Sequence, residues 1–305
     1  MSSIPTPGPR SYPTAIANAF TQDPFGGNPA AIIFLDPSNT LTQAERQKLA
    51  KSLNQPIAVF LTPTPASASR PGVVSFEIQH FVANYEVDLC GHGTIAASKV
   101  VFDSVTNSPG FETHTLEFTT TEGVVISSRQ VVFEDEEWFE IVLPAGKARD
   151  ATGEEEGRIL VAFARAMGKE PRIKYLGVGE PPFQHHLLVV FEESENIEHL
   201  KFVDAKALDA SGFECHVVTT DSTSGKFPED YITRMFAPSG GEDEDQVCGS
   251  ANCTMGPYWA AQKGITELKA RQVSERGGKL RVGVYGDNIR LRGQARVTSL
   301  GRLFL

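Results

Sequence analysis

No run in these 305 residues approaches the roughly 18 consecutive apolar positions that a membrane-spanning helix needs. The first ten residues, Met-Ser-Ser-Ile-Pro-Thr-Pro-Gly-Pro-Arg, lack the apolar core of a secretory signal. We therefore expect residues 1–11 to form a disordered lead-in, the protein to be cytoplasmic, and a membrane not to be a partner. Positive charge is also short: 28 Lys and Arg stand against 38 Asp and Glu, a net charge of −10. A polyanion-binding protein carries a basic stripe, and none is present, so nucleic acid is not an expected partner. The acidity itself reads as solubility. Cysteine is scarce, with only Cys90, Cys215, Cys248 and Cys253. None of their spacings is the C-x-x-C of a zinc finger, and a chain of this length needs no disulfide staples. No strand-like segment runs into G-x-G-x-x-G or a Walker loop, which leaves a nucleotide cofactor without a motif. The remainder, 40% hydrophobic and 22% charged, is the balance of a soluble globular protein. The length suits two ordinary domains or one large one.

Most of the chain reads as short strands. Residues 12–20 and 30–35 are apolar and are separated by the turn Gly26-Gly27-Asn28-Pro29. A helix is expected over about 42–53, because Thr42 can cap it and Glu45 completes a capping box. Strand patterns follow at 57–62 and 73–81, then helical spacing at 93–103 with Ala96 and Ala97 on one side. Strands return at 114–121, 123–133 and 137–143. The character changes at Leu143-Pro144-Ala145-Gly146, and the order then recurs. The second series comprises a helix at about 155–168, strands at 172–178 and 186–192, a helical turn near 194–200, and strands at 213–220 and 229–236. A helix at about 250–263 stops at Lys263-Gly264, and strands close the chain from 269 to 305. Many strands with few helices argue for an α+β fold, not a doubly wound sheet.

One feature repeats. Glu86-Val87-Asp88-Leu89-Cys90-Gly91-His92 and Glu244-Asp245-Gln246-Val247-Cys248-Gly249-Ser250 share a Glu four residues before Cys, an aliphatic residue before it and Gly after it. Each leads into a small-residue helix, about half the chain apart. A cysteine ahead of a helix lies beside unpaired N–H groups and the positive end of the helix dipole, which favours thiolate. The glycine admits a ligand to the backbone, and the free N–H groups can hold a carboxylate or an enolate oxygen. Two such turns facing each other would place one thiolate and one thiol on opposite faces of a carbon, the two-base way of inverting a stereocentre. Each cysteine taken singly reads as packing; the matched pair favours chemistry. Cys253, inside the helix, and Cys215, beside His216 in a strand, read as structural. His185 and His186 precede an apolar strand and either line a cleft or cap the strand.

At these residues the sequence resembles the phenazine-biosynthesis PhzF-like family, within the diaminopimelate epimerase and proline racemase fold. The likeness spans nearly the whole chain. It rests on Asn18-Ala19-Phe20-Thr21, Pro24-Phe25-Gly26-Gly27-Asn28-Pro29, the two cysteine turns, Arg234-Met235-Phe236-Ala237-Pro238, Pro257-Tyr258-Trp259 and Gln272-Val273-Ser274-Glu275-Arg276-Gly277-Gly278. The resemblance implies two pseudo-symmetric halves, each a curved sheet around a central helix. The first covers 12–140 and is joined by the closing strands at about 288–305; the second covers 141–287. It also implies a site between the halves, a homodimer, and neither a metal nor an organic cofactor. Phenazine-type members use a glutamate as acid/base with a His and an Asp nearby; His92 and Asp245 fall on the latter two positions. Gln55 is the nearest match to the glutamate, and a glutamine cannot take up a proton. Cys248 stands where many phenazine-type members have Thr and where the epimerase and racemase branches have Cys. Asn252 for a usual His and Gln246 for a usual Pro suggest a modified pocket.

The expected activity is thus an isomerase of epimerase or racemase type acting on a small carboxylate- or carbonyl-bearing metabolite. Cys90 and Cys248 are its catalytic pair; Asn28, Gln55, Gly91, His92, Asp245, Gly249 and Ser250 bind substrate. The alternatives are a PhzF-like isomerase or dehydratase using His92 and Asp245, and a non-catalytic small-molecule-binding relative.

Overall fold

Thr42 and Glu45 exchange side-chain and backbone hydrogen bonds at the head of the first helix, the capping box that the sequence announces. The structure, a computed structural model, describes residues 10–38, 40–64, 70–106, 114–222 and 226–305. The first series of elements is β1 (Ser11–Ala19), β2 (Asn28–Phe34), α1 (Gln43–Leu53), β3 (Ile57–Pro63), β4 (Val73–Phe81), β5 (Glu86–Val87), α2 (Gly91–Thr106), β6 (Thr115–Thr119), β7 (Val125–Phe133) and β8 (Glu136–Pro144). The second is β9 (Ala148–Asp150), α3 (Gly153–Met167), β10 (Ile173–Gly179), β11 (His186–Phe191), β12 (Cys215–Asp221), β13 (Tyr231–Ala237), β14 (Glu242–Asp245), α4 (Ala251–Lys263), β15 (Glu267–Gln272), β16 (Gly278–Tyr285), β17 (Asn288–Gly293) and β18 (Ala295–Phe304).

The pairing scheme is duplicated. In the first series β1 and β2 are antiparallel, β2 and β3 parallel, β3 and β4 antiparallel, and β4 and β6 parallel. Antiparallel β6–β7 and β7–β8 pairs follow. In the second series β10–β11, β11–β12, β12–β13, β13–β15, β15–β16 and β16–β17 repeat those senses in the same order. β8 and β17 pair with each other and join the two sheets into one strip. The outermost strands are exchanged: β9, which follows the first series, pairs with β10, while β18, which follows the second, pairs with β1. The division expected at 140/141 falls inside β8.

Each sheet wraps a central helix. Ile95, Ala96, Ala97, Val100, Val101 and Phe102 of α2 all belong to one buried cluster with sheet residues such as Ala17, Ile32, Phe118 and Phe139. A helix buried around most of its circumference has no polar face to give to water and belongs at the centre. Each fully buried Ile or Phe there contributes about 1.5–3 kcal/mol. In α4 the small residue is Gly256: a Cβ there would sit 2.9 Å from Val282 Cγ1 of β16, so the helix lies against the sheet at a distance only glycine allows.

The structure departs from expectation at three points. Residues 10 and 11 are not a loose lead-in: Ser11 opens β1, and the Arg10 N–H donates to the Leu305 carbonyl at 3.0 Å, while residues 1–9 lie outside the described residues. The turn expected near 194–200 is present, with the His199 N–H donating to the Asn196 carbonyl at 3.1 Å, and a 3-10 helix that was not expected follows at Ala205–Ser211. The strands β5, β9 and β14 are too short to show periodicity.

Candidate functional site

Cys90 directly precedes α2 and caps it. Its carbonyl accepts the Thr94 N–H at 3.0 Å and the Thr94 hydroxyl at 2.8 Å, and its sulfur accepts the Gly93 N–H at 3.4 Å. The same sulfur lies 3.2 Å from His92 Nδ1. His92 is buried, and its Nε2 has no hydrogen-bond partner among the described residues. Burial pushes its imidazole down to about 3, with His80 adding to the effect, so the ring is neutral at ordinary pH. His80, on β4, is held behind it by Thr94 Oγ1 at 3.3 Å. No local pattern marked His80; only its place on the strand facing α2 reveals it.

The second turn has the same plan with other atoms. The Cys248 sulfur lies 3.5 Å from Ser250 Oγ, the position that His92 occupies in the first turn. The Cys248 carbonyl accepts Asn252 Nδ2 at 2.9 Å, as the Cys90 carbonyl accepts Thr94. Asn252 is itself fixed by the Tyr231 hydroxyl at 2.7 Å, so this residue buttresses the turn and does not shape a pocket, contrary to the expectation. The Cys248 N–H donates to Gln272 Oε1 at 2.9 Å.

Asp245 ends β14, three residues before Cys248. Asn28 Nδ2 donates to its Oδ1 at 2.6 Å and to the Val247 carbonyl at 3.0 Å, so a residue of the first series grips the second turn. The other Asn28 atom, Oδ1, is buried without a partner among the described residues. Burial pushes the Asp245 carboxylate up to about 6, against hydrogen bonds from the Cys248 thiol, Asn28 and the N–H groups of Val247 and Gln246.

Two expectations about the turns need correction. Cys248 is not primed as a thiolate: burial foremost, then the charge of Asp245, push its thiol well above the usual value. Ser250 and the Ala251 N–H at the head of the helix oppose this, but the sulfur belongs to the buried core. The glycines serve each other before any ligand. A Cβ on Gly91 would lie 3.1 Å from Gly249 Cα, and one on Gly249 would lie 3.1 Å from Gly91 Cα and 3.0 Å from Leu291 Cδ2. Their contact brings the two turns together and puts the Cα atoms of Cys90 and Cys248 within about 12 Å. The N–H groups of Gly91, His92, Gly249 and Ser250 stand at the heads of the two helices, outside the backbone–backbone bonds of the turns. Gln55 lies in the link between α1 and β3, two residues before Ile57, which pairs with Ala30 of β2 and lies 3.3 Å from where a Gly93 Cβ would sit; the Gln55 amide donates to the Leu53 carbonyl at 3.4 Å. An open cavity of about 760 Å³ lies elsewhere, lined by Lys147, Arg149, Arg158, Glu180 and their neighbours, and by neither cysteine turn.

A clamp missed by sequence reasoning fastens this arrangement. The Arg276 guanidinium donates to the Gly26 and Gly27 carbonyls at 2.8 Å each, and the Gly27 N–H donates to Gly277 O at 2.9 Å. Gly27 has φ +67°, and a Cβ there would meet the Ala19 carbonyl, so only glycine serves. The signal was the joint presence of the two motifs, which no local pattern links.

The chain matches the family described as phenazine biosynthesis-like protein over residues 17–301. It is 30% identical over 93% of its length to an uncharacterized isomerase of Halalkalibacterium halodurans, covering 95% of that protein. It is 31% identical over 94% of its length to one from Pseudomonas aeruginosa, covering 97% of it. Its structure is similar to that of a phenazine biosynthesis protein of the PhzF family from Enterococcus faecalis, with a TM-score of 0.79, 28% identity, and coverage of 97% of this chain and 100% of that one. A hydroxyproline epimerase from Agrobacterium vitis, at 10% identity, TM-score 0.58 and coverage of 97% and 93%, shares the fold.

Proposed function

The chain belongs to the phenazine biosynthesis-like family, and from that premise we propose that it is an isomerase that moves a proton on a small carbonyl- or carboxylate-bearing molecule at the junction of its two cysteine turns. The observation that carries this is the Gly91–Gly249 contact, which sets two sulfur-bearing turns against one another. In the forward direction Cys90, as thiolate, takes the proton beside the carbonyl. The N–H groups of Gly91, His92, Gly249 and Ser250 receive the negative charge that develops on oxygen. Cys248, held as a thiol by burial, gives its proton to the opposite face. The reverse reaction exchanges the roles, so one thiol and one thiolate are present at each turnover. Turnover in deuterium oxide should place deuterium at the inverted carbon, and Cys90→Ala and Cys248→Ala should each abolish inversion. Full activity in both variants would overturn the two-sulfur mechanism.

A second mechanism for the same isomerase is favoured by the position of Asp245. A carboxylate titrating near 6, and a neutral His92 with a free Nε2, make an acid/base pair suited to shifting a double bond or eliminating water. An inactive Asp245→Asn beside an active Cys248→Thr would select it.

A further inference from the structure

β11 and β12 run parallel, and their first residues, His186 and Cys215, are partners in the register. His185, in the turn before β11, accepts the Cys215 N–H on its carbonyl at 3.1 Å. One ligating atom from each of His185, His186 and Cys215 lies within 4.8 Å of the others. His186 is 2% exposed, and its Nδ1 has no hydrogen-bond partner among the described residues. A buried nitrogen left unpaired is costly, so its presence beside two further soft donors points to a ligand.

We propose that His185, His186 and Cys215 form a binding site for a thiophilic divalent cation, zinc foremost. Two imidazole nitrogens and one thiolate are a donor set that zinc favours and that calcium and magnesium, which prefer oxygen, do not. Zinc bonds of about 2.0–2.3 Å hold tetrahedral ligand atoms roughly 3.3–3.8 Å apart. Closing the present spacing needs movement on the order of 1 Å, which His185 can supply from its turn. His185 and Cys215 are each partly exposed, which leaves the site within reach of solvent. On binding, the Cys215 S–H bond breaks, its proton leaves to solvent, and a sulfur–metal bond forms; no electrons change hands. With three protein ligands, the fourth position is left for water.

The site is tested without substrate. Chelator-treated protein is titrated with Co²⁺, then with Zn²⁺ in competition. Binding of one metal per chain, with a thiolate-to-cobalt charge-transfer band, is expected. Cys215→Ser should abolish the band, and His185→Gln should weaken binding at least about tenfold while leaving the band in place at saturation. Circular dichroism checks that each variant is folded; should Cys215→Ser unfold, the His185→Gln affinity decides. Absence of stoichiometric binding, or unchanged affinity in the His185 variant, would overturn the proposal.

Discussion

The two cysteine turns share a backbone plan and differ in chemistry. In both, the residue two after Cys touches the sulfur and the residue four after Cys returns a hydrogen bond to the Cys carbonyl. In both, the Glu four before Cys ties the turn to the preceding long strand. Glu86 accepts from Gln79 on β4 at 3.0 Å, and Glu244 forms a two-point pair with Arg234 on β13 at 2.7 Å. Two of the differences bear on the chemistry: His92 against Ser250 after the cysteine, and Val87 against Asp245 before it. Duplication fixed where the groups sit, and these substitutions divided the work. One turn carries a neutral imidazole and a half-buried sulfur; the other carries a carboxylate and a buried thiol.

The comparison breaks most visibly in thiol reactivity. At pH 8, Cys90 should be alkylated at least about 10³ times faster than Cys248, because the buried thiol holds almost no thiolate. Mass spectrometry of modified peptides reads the ratio, and equal rates would erase the asymmetry. The carbonyl tethers come next. Asn252→Ala strands both the Tyr231 hydroxyl and the Cys248 carbonyl and should cost about 3 kcal/mol in urea denaturation. Thr94→Val, which leaves the Cys90 carbonyl its Thr94 N–H but strands His80 Nε2, should cost about 2 kcal/mol.

A pH-dependent effect follows from Asp245. Its folded value, about 6, lies above the usual 3.8, so the folded chain holds this proton more tightly than the unfolded chain. Stability from this group is fully present below pH 3.8 and is lost as pH rises to about 6. The loss should reach about 2–3 kcal/mol, and Asp245→Asn should remove it. Thermal melts from pH 4 to 7 would show the variant gaining on the wild type up to pH 6 and running parallel above. The least change belongs to the two glutamates: Glu244→Gln should cost about 1–2 kcal/mol and Glu86→Gln under about 1, since only Glu244 meets a guanidinium.

The sequence made the long elements legible because their signals are local. The capping box at Thr42, the glycine stop at Gly264 and the small residues of α2 each declare themselves within a few positions. The repeated cysteine turn was legible for the same reason. What escaped was contact across distance. Neither the grip of Asn28 on Asp245 nor that of Arg276 on Gly26 and Gly27 is written in any window of neighbouring residues. The thiolate expected at Cys248 failed for a related reason. Helix placement can be inferred locally, but the burial that overrides it comes from the surrounding fold.

The exchange of outer strands sets a timetable for biosynthesis. Ser11 emerges among the first residues of the first sheet, yet its register partner in β18 is Phe304. A ribosome must add nearly all of the intervening chain before that edge of β1 is covered. Until then the nascent first half presents a bare strand edge, open to mispairing with other nascent chains, and its full cooperativity arrives only with residues 295–304.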